Sequence, residues 1–250
     1  MRVLLTNDDG IEADGLRKLA EITAKVAEEV YIVAPDGNRS AISHGISIQK
    51  NIQVKQVEFP FVTAAYSCSG TPADCVKVAI NAILEMRPDF VISGMNHGYN
   101  MGYDTVYSGT VAAAKESVYQ GVPSAAISVG SPDFSSADRY LEQVLRYIFS
   151  QEILRHEIWN INFPAIAGEE CRGIRFGTPA SFSYYKDTYS RTRIAEGIWD
   201  CMLTDEVTEI HEENSDFNAV RDGYISVGTL ECEPLKEIKQ VRFTDPDPVA

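Results

Sequence analysis

Four short runs constrain this chain more than anything else in it: RVLLT at 2–6, EVYIVAP at 29–35, DFVISG at 89–94 and SAAISV at 124–129. Each is apolar without the polar alternation of a half-exposed strand, which marks strands buried on both faces. Helical spacing fills the gaps between them. DGLRKLAEITAKVAEE brings Leu16, Leu19, Ala20, Ile22 and Val26 close to one face. PADCVKVAINAILEM (72–86) has Pro72 at a first helical turn, where its missing N–H is no loss. SGTVAAAKESVYQG (108–121) opens on a capping Ser108 and stops at Gly121, and residues 135–150 are helical again. Repeated strand–helix–strand units with doubly buried strands predict a mostly parallel, doubly wound α/β sheet.

The remaining segments read differently. Residues 46–68 are rich in Ile, Val, Phe and Tyr with partial alternation, which predicts β-hairpins. WNINFP and RGIRFGTP read as strands, and DFNAVRDGYISVGTL (216–230) as a helical turn leading into a last strand. Residues 180–205 are aromatic and polar with no core face of their own. They suit a projecting β-ribbon that packs on another subunit through Tyr184, Tyr185, Tyr189 and Trp199; the competing reading is a surface loop. The expected organisation is one α/β domain over 1–250, with a ribbon at about 180–205, a C-terminal arm at 216–250 and a frayed TDPDPVA tail.

Composition removes several classes of function. The 250 residues are 44% hydrophobic, enough for one large domain. The net charge is −14, so the chain is a poor binder of nucleic-acid backbone, though a small phosphorylated ligand stays open to it. Five widely spaced cysteines without a C-x-x-C pair argue against a disulfide framework or a zinc finger and favour a reducing cytoplasm. Asn7, Asp8 and Asp9 break the first apolar run too early for a signal peptide, and no apolar run is long enough to span a membrane.

The unusual polar residues fall after the strands, where open α/β sheets bind ligands. The first strand ends in Asn7-Asp8-Asp9-Gly10 and the second leads to Asp36, Asn38, Arg39 and Ser40. The strand at 89–94 leads through Gly94 to Asn96, His97 and Gly98. Adjacent carboxylates resist joint ionisation unless a cation is present. A hard divalent ion such as Mg²⁺ or Mn²⁺ would take the Asp8 and Asp9 carboxylates together with neutral oxygens from Asn96 and Ser40. The pair alone is equally consistent with a turn that caps the next helix. Ser108-Gly109-Thr110 opens a helix with free N–H groups, room for an anion and two hydroxyls, or is an ordinary serine cap. Ser69-Gly70-Thr71-Pro72 carries the same two readings. His44 and His97 read first as surface residues, Arg39 as a phosphate partner or a solvated cation, and Cys75 as a small buried hydrophobe.

These stretches together resemble the SurE family, the stationary-phase survival proteins, which are metal-dependent 5′/3′-nucleotidases. The matching blocks are TNDDG (6–10), VAPDGNRSA with SHGIS (33–47), GTPADCVK (70–77), PDFVISGMNHGYNMGYDTVYSGTVAAA (88–114), NINFP (160–164) and AVRDGYISV (219–227). The resemblance implies a Rossmann-like three-layer α/β/α sandwich with a C-terminal extension that builds a homodimer or homotetramer. It implies one divalent cation per subunit held by Asp8, Asp9, Ser40 and Asn96, with Asp8 and Asp9 also catalytic. Phosphate contacts from Ser108, Gly109 and Thr110 are implied as well, with Asn7 and Gly94 in the substrate loops. One departure is Gly228-Thr229, where the family commonly has Thr-Pro after this strand; it bears on the assembly arm rather than on the chemistry.

The implied activity is hydrolysis of nucleoside 5′- and 3′-monophosphates, with exopolyphosphatase activity on the side. A dehydrogenase would need G-x-G-x-x-G after the first strand, and an NTPase G-x-x-x-x-G-K-[ST]; neither pattern is present. Aspartyl-phosphate phosphatases space their two Asp by one residue, unlike Asp8-Asp9. The alternative from another class is a non-catalytic nucleotide-binding or sensing protein on the same fold.

Overall fold

The apolar runs form the middle of a sheet of nine described strands. The structure, a computed structural model, describes residues 1–130, 133–182, 185–207 and 212–232, with backbone alone for 185–187 and 205–207. Strands β1 (Arg2–Thr6), β2 (Glu29–Pro35), β4 (Ala64–Cys68), β5 (Phe90–His97), β6 (Ser124–Val129) and β7 (Glu157–Phe163) run parallel. Strand β3 (Val54–Val57) pairs antiparallel with β4, so one hairpin forms where several were expected over 46–68. With β8 (Ile174–Phe176) and β11 (Ile225–Glu231) the order is β3-β4-β2-β1-β5-β6-β7-β11-β8.

Helices α1 (Asp14–Thr23) and α4 (Ser135–Ser150) cover one face, and α2 (Pro72–Val78) and α3 (Gly109–Tyr119) the other. Alternate residues of each central strand therefore meet different helices. Val3, Leu5, Ile32, Ile92 and Ile127 pack with Leu16, Leu19, Leu141 and Leu145. Leu4, Val33 and Val91 turn the other way, onto Cys75, Val76 and Ala113. Both faces are buried, which is why these strands lack polar alternation. Cys75 is the small buried hydrophobe expected of it. The layers are the three-layer α/β/α sandwich expected from the sequence.

The chain reverses its direction of winding at the centre of the sheet. From β1 it winds outward through β2 and β4, then returns through α2 to β5 on the other side of β1. The carboxyl ends of β1 and β5 thus flank the topological switch point, where open α/β sheets form their binding crevice.

The C-terminal third departs from the expected arm. Helix α5 (Asp216–Arg221) packs on β11, and β11 lies inside the main sheet. It pairs antiparallel with β7 and parallel with β8. Gly228 is the contact point: a Cβ built there would stand 2.0 Å from the Thr178 carbonyl oxygen. Residues 216–231 are therefore core rather than arm, and residues 233–250, with the TDPDPVA tail, lie outside the described residues.

The ribbon forms as a separate two-stranded antiparallel sheet of β9 (Tyr185–Ala195) and β10 (Ile198–Val207). Tyr189, Ile194, Ile198, Trp199, Met202 and Leu203 are all exposed on it. The other two expected anchors, Tyr184 and the Tyr185 side chain, lie outside the described residues. No described helix is long and apolar enough to cross a membrane.

Candidate active site

The Asp8-Asp9 turn is built by its neighbours. The buried Asn7 amide donates to the Gly10 carbonyl at 2.9 Å and accepts from the Gly10 N–H at 3.1 Å. Both ends of that side chain are thus engaged within the turn, and Asn7 shapes the loop expected to touch substrate. Gly10 adopts φ +107° with the Gly37 backbone against its Cα, so a side chain there meets both strain and a clash. The Ile11 N–H donates to the Pro35 carbonyl at 2.8 Å, tying the turn to the end of β2.

Asp8 faces the start of α3. It is only 3% exposed and accepts the Thr110 hydroxyl at 2.5 Å. A Cβ built on Gly109 would stand 2.9 Å from both Cβ and Oδ2 of Asp8, so glycine alone lets the helix come this close. The anion that the helix start meets here is Asp8 itself, with the Thr110 hydroxyl turned to the carboxylate rather than outward. Ser108 caps the helix by accepting from the Val111 N–H at 3.1 Å. Burial pushes the Asp8 carboxyl up to about 6; the Thr110 hydroxyl opposes that rise and the charge of Asp9 adds to it. Burial also raises Asp9, whose Oδ2 accepts from the His97 N–H at 3.4 Å.

Asn96 arrives from β5 through a bulge. Ser93 pairs with Ala126 and Asn96 with Ser128, so β5 spends one extra residue against β6 and the loop beyond is re-aimed. Gly94 makes this possible at φ +145°, since a Cβ built there would lie 2.3 Å from the Ile127 carbonyl oxygen. Its place is against β6, beneath the substrate loop. The Asn96 Nδ2 donates to the Gly98 carbonyl at 2.9 Å, leaving the amide oxygen as its open end. Ser40 is exposed in the loop after β2. The Arg39 N–H donates to the Asp8 carbonyl at 2.7 Å, which sets Ser40 one residue from the acidic turn. The Arg39 guanidinium pairs with Asp36 at 2.7 Å.

Asp8, Asp9, Ser40, Asn96 and the α3 start thus share one crevice edge. The donors are all oxygens, and among the described residues neither carboxylate has a Lys or Arg ion-pair partner. Two neighbouring carboxylates raised by burial, without a counter-charge, fit a hard divalent cation.

Several neighbours were not read as site residues from the sequence. Glu116 of α3 is buried and accepts from His44, Lys77 and Gln120. Its trace in the sequence is faint, an acid beside Lys115 in the otherwise small and apolar stretch SGTVAAAKESV. His44, read as a surface residue, is part of this cluster. Asn100 is buried among Ser128, Asn160 and Asn162, which fastens the glycine-rich loop and gives the NINFP stretch its use. Asp216 accepts from the N–H groups of Gly102 and Ser181. The second glycine–hydroxyl start is a cap, with Thr71 and Asp74 exchanging hydrogen bonds at 3.0 Å. The His97 ring is exposed and stacks on Phe134 with centroids 5.6 Å apart.

Fold and site define a class: a Rossmann-like α/β protein with an acidic, oxygen-lined crevice at its switch point, set against a helix start. The family profile described as "Survival protein SurE" matches residues 3–186. Proteins named 5′-nucleotidase SurE are similar along almost the whole chain. The one from Trichodesmium erythraeum is 37% identical, covering 92% of this chain and 91% of its own. The one from Gloeothece citriformis is 34% identical and covers 98% of each. The crystal structure of the SurE protein from Aquifex aeolicus superposes with a TM-score of 0.82 at 31% identity, covering 94% of this chain and 95% of that one. The chain belongs to the SurE family.

Proposed function

We propose that this protein is a divalent-metal-dependent phosphomonoesterase that hydrolyses nucleoside 5′-monophosphates to nucleoside and phosphate. The observation that carries the reading is the meeting of Asp8, in the Asp8-Asp9 turn, with the helix start at Gly109-Thr110. Relatives similar over nine-tenths of the chain are named 5′-nucleotidase, which supports the same activity here. Asp8, Asp9, Ser40 and Asn96 are the residues that would hold the ion, Mg²⁺ or Mn²⁺, one per subunit. Bound there, the ion would supply Lewis acidity, offsetting phosphoryl charge and lowering the pKa of the attacking water.

The chain's own groups do the rest. Thr110 holds the Asp8 carboxylate in one orientation. Asp9, half-buried beside Asp8, would orient the water. Ser108 and Gly109 open a helix whose positive dipole end, already against Asp8, would also favour the added negative charge of a phosphate beside it. The same site would accept 3′-monophosphates and short polyphosphate, since recognition centres on the phosphoryl group.

The ribbon serves assembly in this reading, as a homodimer or homotetramer, supported by its exposed aromatic and aliphatic side chains. Five free cysteines support work in the cytoplasm. Phosphate release from AMP and GMP, measured with and without EDTA, tests the activity. Release that EDTA abolishes and added Mn²⁺ restores is expected; release indifferent to the chelator contradicts the reading.

A further inference from the structure

Ser40 poses a positioning problem. It lies on the irregular segment between β2 and β3, residues 36–53, which has no helix or strand to hold it. An exposed hydroxyl on such a loop would wander relative to Asp8 and Asp9 unless side chains pinned the loop elsewhere.

Pins are present on both sides of Ser40. Before it, the Arg39 N–H donates to the Asp8 carbonyl at 2.7 Å. Three residues after it, Ser43 donates from its N–H to the Tyr107 carbonyl at 3.1 Å and from its hydroxyl to the Val106 carbonyl at 2.8 Å. The His44 Nε2 then meets Glu116 Oε2 at 2.8 Å, and its ring stacks on Tyr119 with centroids 5.4 Å apart and planes at 18°. Last, the Ser47 N–H donates to both carboxylate oxygens of Asp74 at 3.1 Å. The loop adopts left-handed backbone at Ala41 (φ 54°) and Ser43 (φ 53°), conformations that non-glycine residues hold only when their surroundings fix them.

Glu116 is a buried pin with several partners. Its side chain is 6% exposed, and its other oxygen accepts from Lys77 of α2 at 3.2 Å and Gln120 at 2.7 Å. A carboxylate this well surrounded is fixed in place, and it selects the His44 tautomer that carries its proton on Nε2. Glu116 also belongs to α3, the helix whose first residues meet Asp8. One rigid element therefore sets Asp8 at its start and the Ser40 loop farther along.

We infer that the His44–Glu116 contact is a clasp that positions Ser40 against Asp8 and Asp9, with His44 and Glu116 as positioning residues for cation binding. The inference rests on the metal-site reading of those residues. A clasp of this kind acts on the ion at one remove, as the hydrogen-bond partners behind metal ligands do.

The test uses the full chain in four forms, wild type and three variants. His44→Ala removes ring and hydrogen bond. His44→Phe keeps the stack on Tyr119 but loses the bond to Glu116. His44→Gln offers Glu116 an amide N–H in its place. The readouts are amide hydrogen exchange over residues 38–47 and the dissociation constant for Mn²⁺ alone, titrated by EPR, with melting temperature recorded alongside. His44→Ala and His44→Phe should lose exchange protection in the loop and bind Mn²⁺ about tenfold more weakly, and His44→Gln should recover most of both. Unchanged exchange overturns the clasp. Faster exchange or a lower melting temperature with unchanged Mn²⁺ affinity overturns its link to the site and leaves a purely structural contact. Absence of Mn²⁺ binding by the wild-type chain overturns the metal reading instead, while the exchange arm still decides whether the clasp holds the loop.

Discussion

The crevice and the ribbon solve the problem of exposed chemistry in opposite ways. At the crevice, polar groups are held by partners within the chain: the Asp8 side chain by Thr110, that of Asn7 by Gly10 and that of Asn100 by Ser128, while two asparagines of β7 hold the Asn100 backbone. On the ribbon, apolar side chains stand without cover. Tyr189 opposite Leu203, Arg191 opposite Cys201 and Arg193 opposite Trp199 share one face, with the Arg191 guanidinium 4.4 Å from the Trp199 ring centroid. An isolated two-stranded hairpin is marginal in water, and exposed aromatic and aliphatic side chains such as these call for a partner surface. The core is complete within one chain, and the ribbon is where a second chain would add stability.

Four sets of substitutions probe this contrast, in order of expected effect. Asp8→Ala removes a carboxylate from the proposed cation site, and loss of several kcal/mol of transition-state stabilisation lowers kcat/KM for AMP on the order of a thousandfold. Gly109→Ala forces a methyl group against Asp8 and moves helix start and carboxylate apart. The expected loss in kcat/KM is about a hundredfold with the fold retained by circular dichroism.

Tyr189→Ser combined with Trp199→Ser should leave AMP hydrolysis per chain intact while weakening self-association. Loss of two aromatic anchors costs about 2 kcal/mol or more, roughly thirtyfold in the association constant, read by analytical ultracentrifugation. Unchanged association would break the contrast between the two regions.

The smallest effect depends on pH. Burial raises the Glu116 carboxyl, but hydrogen bonds from His44, Gln120 and Lys77 outweigh it and leave the group below its usual 4.5. A lowered carboxyl contributes stability that is present above the unfolded pKa and is lost as pH falls through the folded one. Wild type should therefore exceed Glu116→Gln by about 1–2 kcal/mol in urea unfolding above pH 4.5. The gap should close as pH falls below that value.

Much of this was legible in the sequence because it depended on local pattern. Doubly buried strands lack polar alternation, so RVLLT, EVYIVAP, DFVISG and SAAISV could be placed before any contact was known. Strand-end logic then brought Asp8, Asp9, Ser40 and Asn96 to one edge. The features that escaped depend on tertiary pairing. Thr110 reaches Asp8 across 102 positions and His44 reaches Glu116 across 72, distances at which a hydroxyl or imidazole carries no sign of its partner. Strand β11 was misplaced as an arm for the same reason, since nothing in YISVGTL says that it inserts between β7 and β8. For the glycines the need for close approach was partly legible and the partner was not: Gly109 reads in sequence as leaving room for an anion, which is Asp8 itself, while Gly94 answers to the Ile127 carbonyl of β6.

The central claim is that Asp8, Asp9, Ser40 and Asn96 hold one divalent cation at the switch point. Anomalous diffraction from crystals grown with Mn²⁺ measures this directly. The account predicts a single strong anomalous peak per subunit within bonding distance of oxygens from those four residues. A peak bound by other side chains, or none at these carboxylates at saturating Mn²⁺, would contradict it.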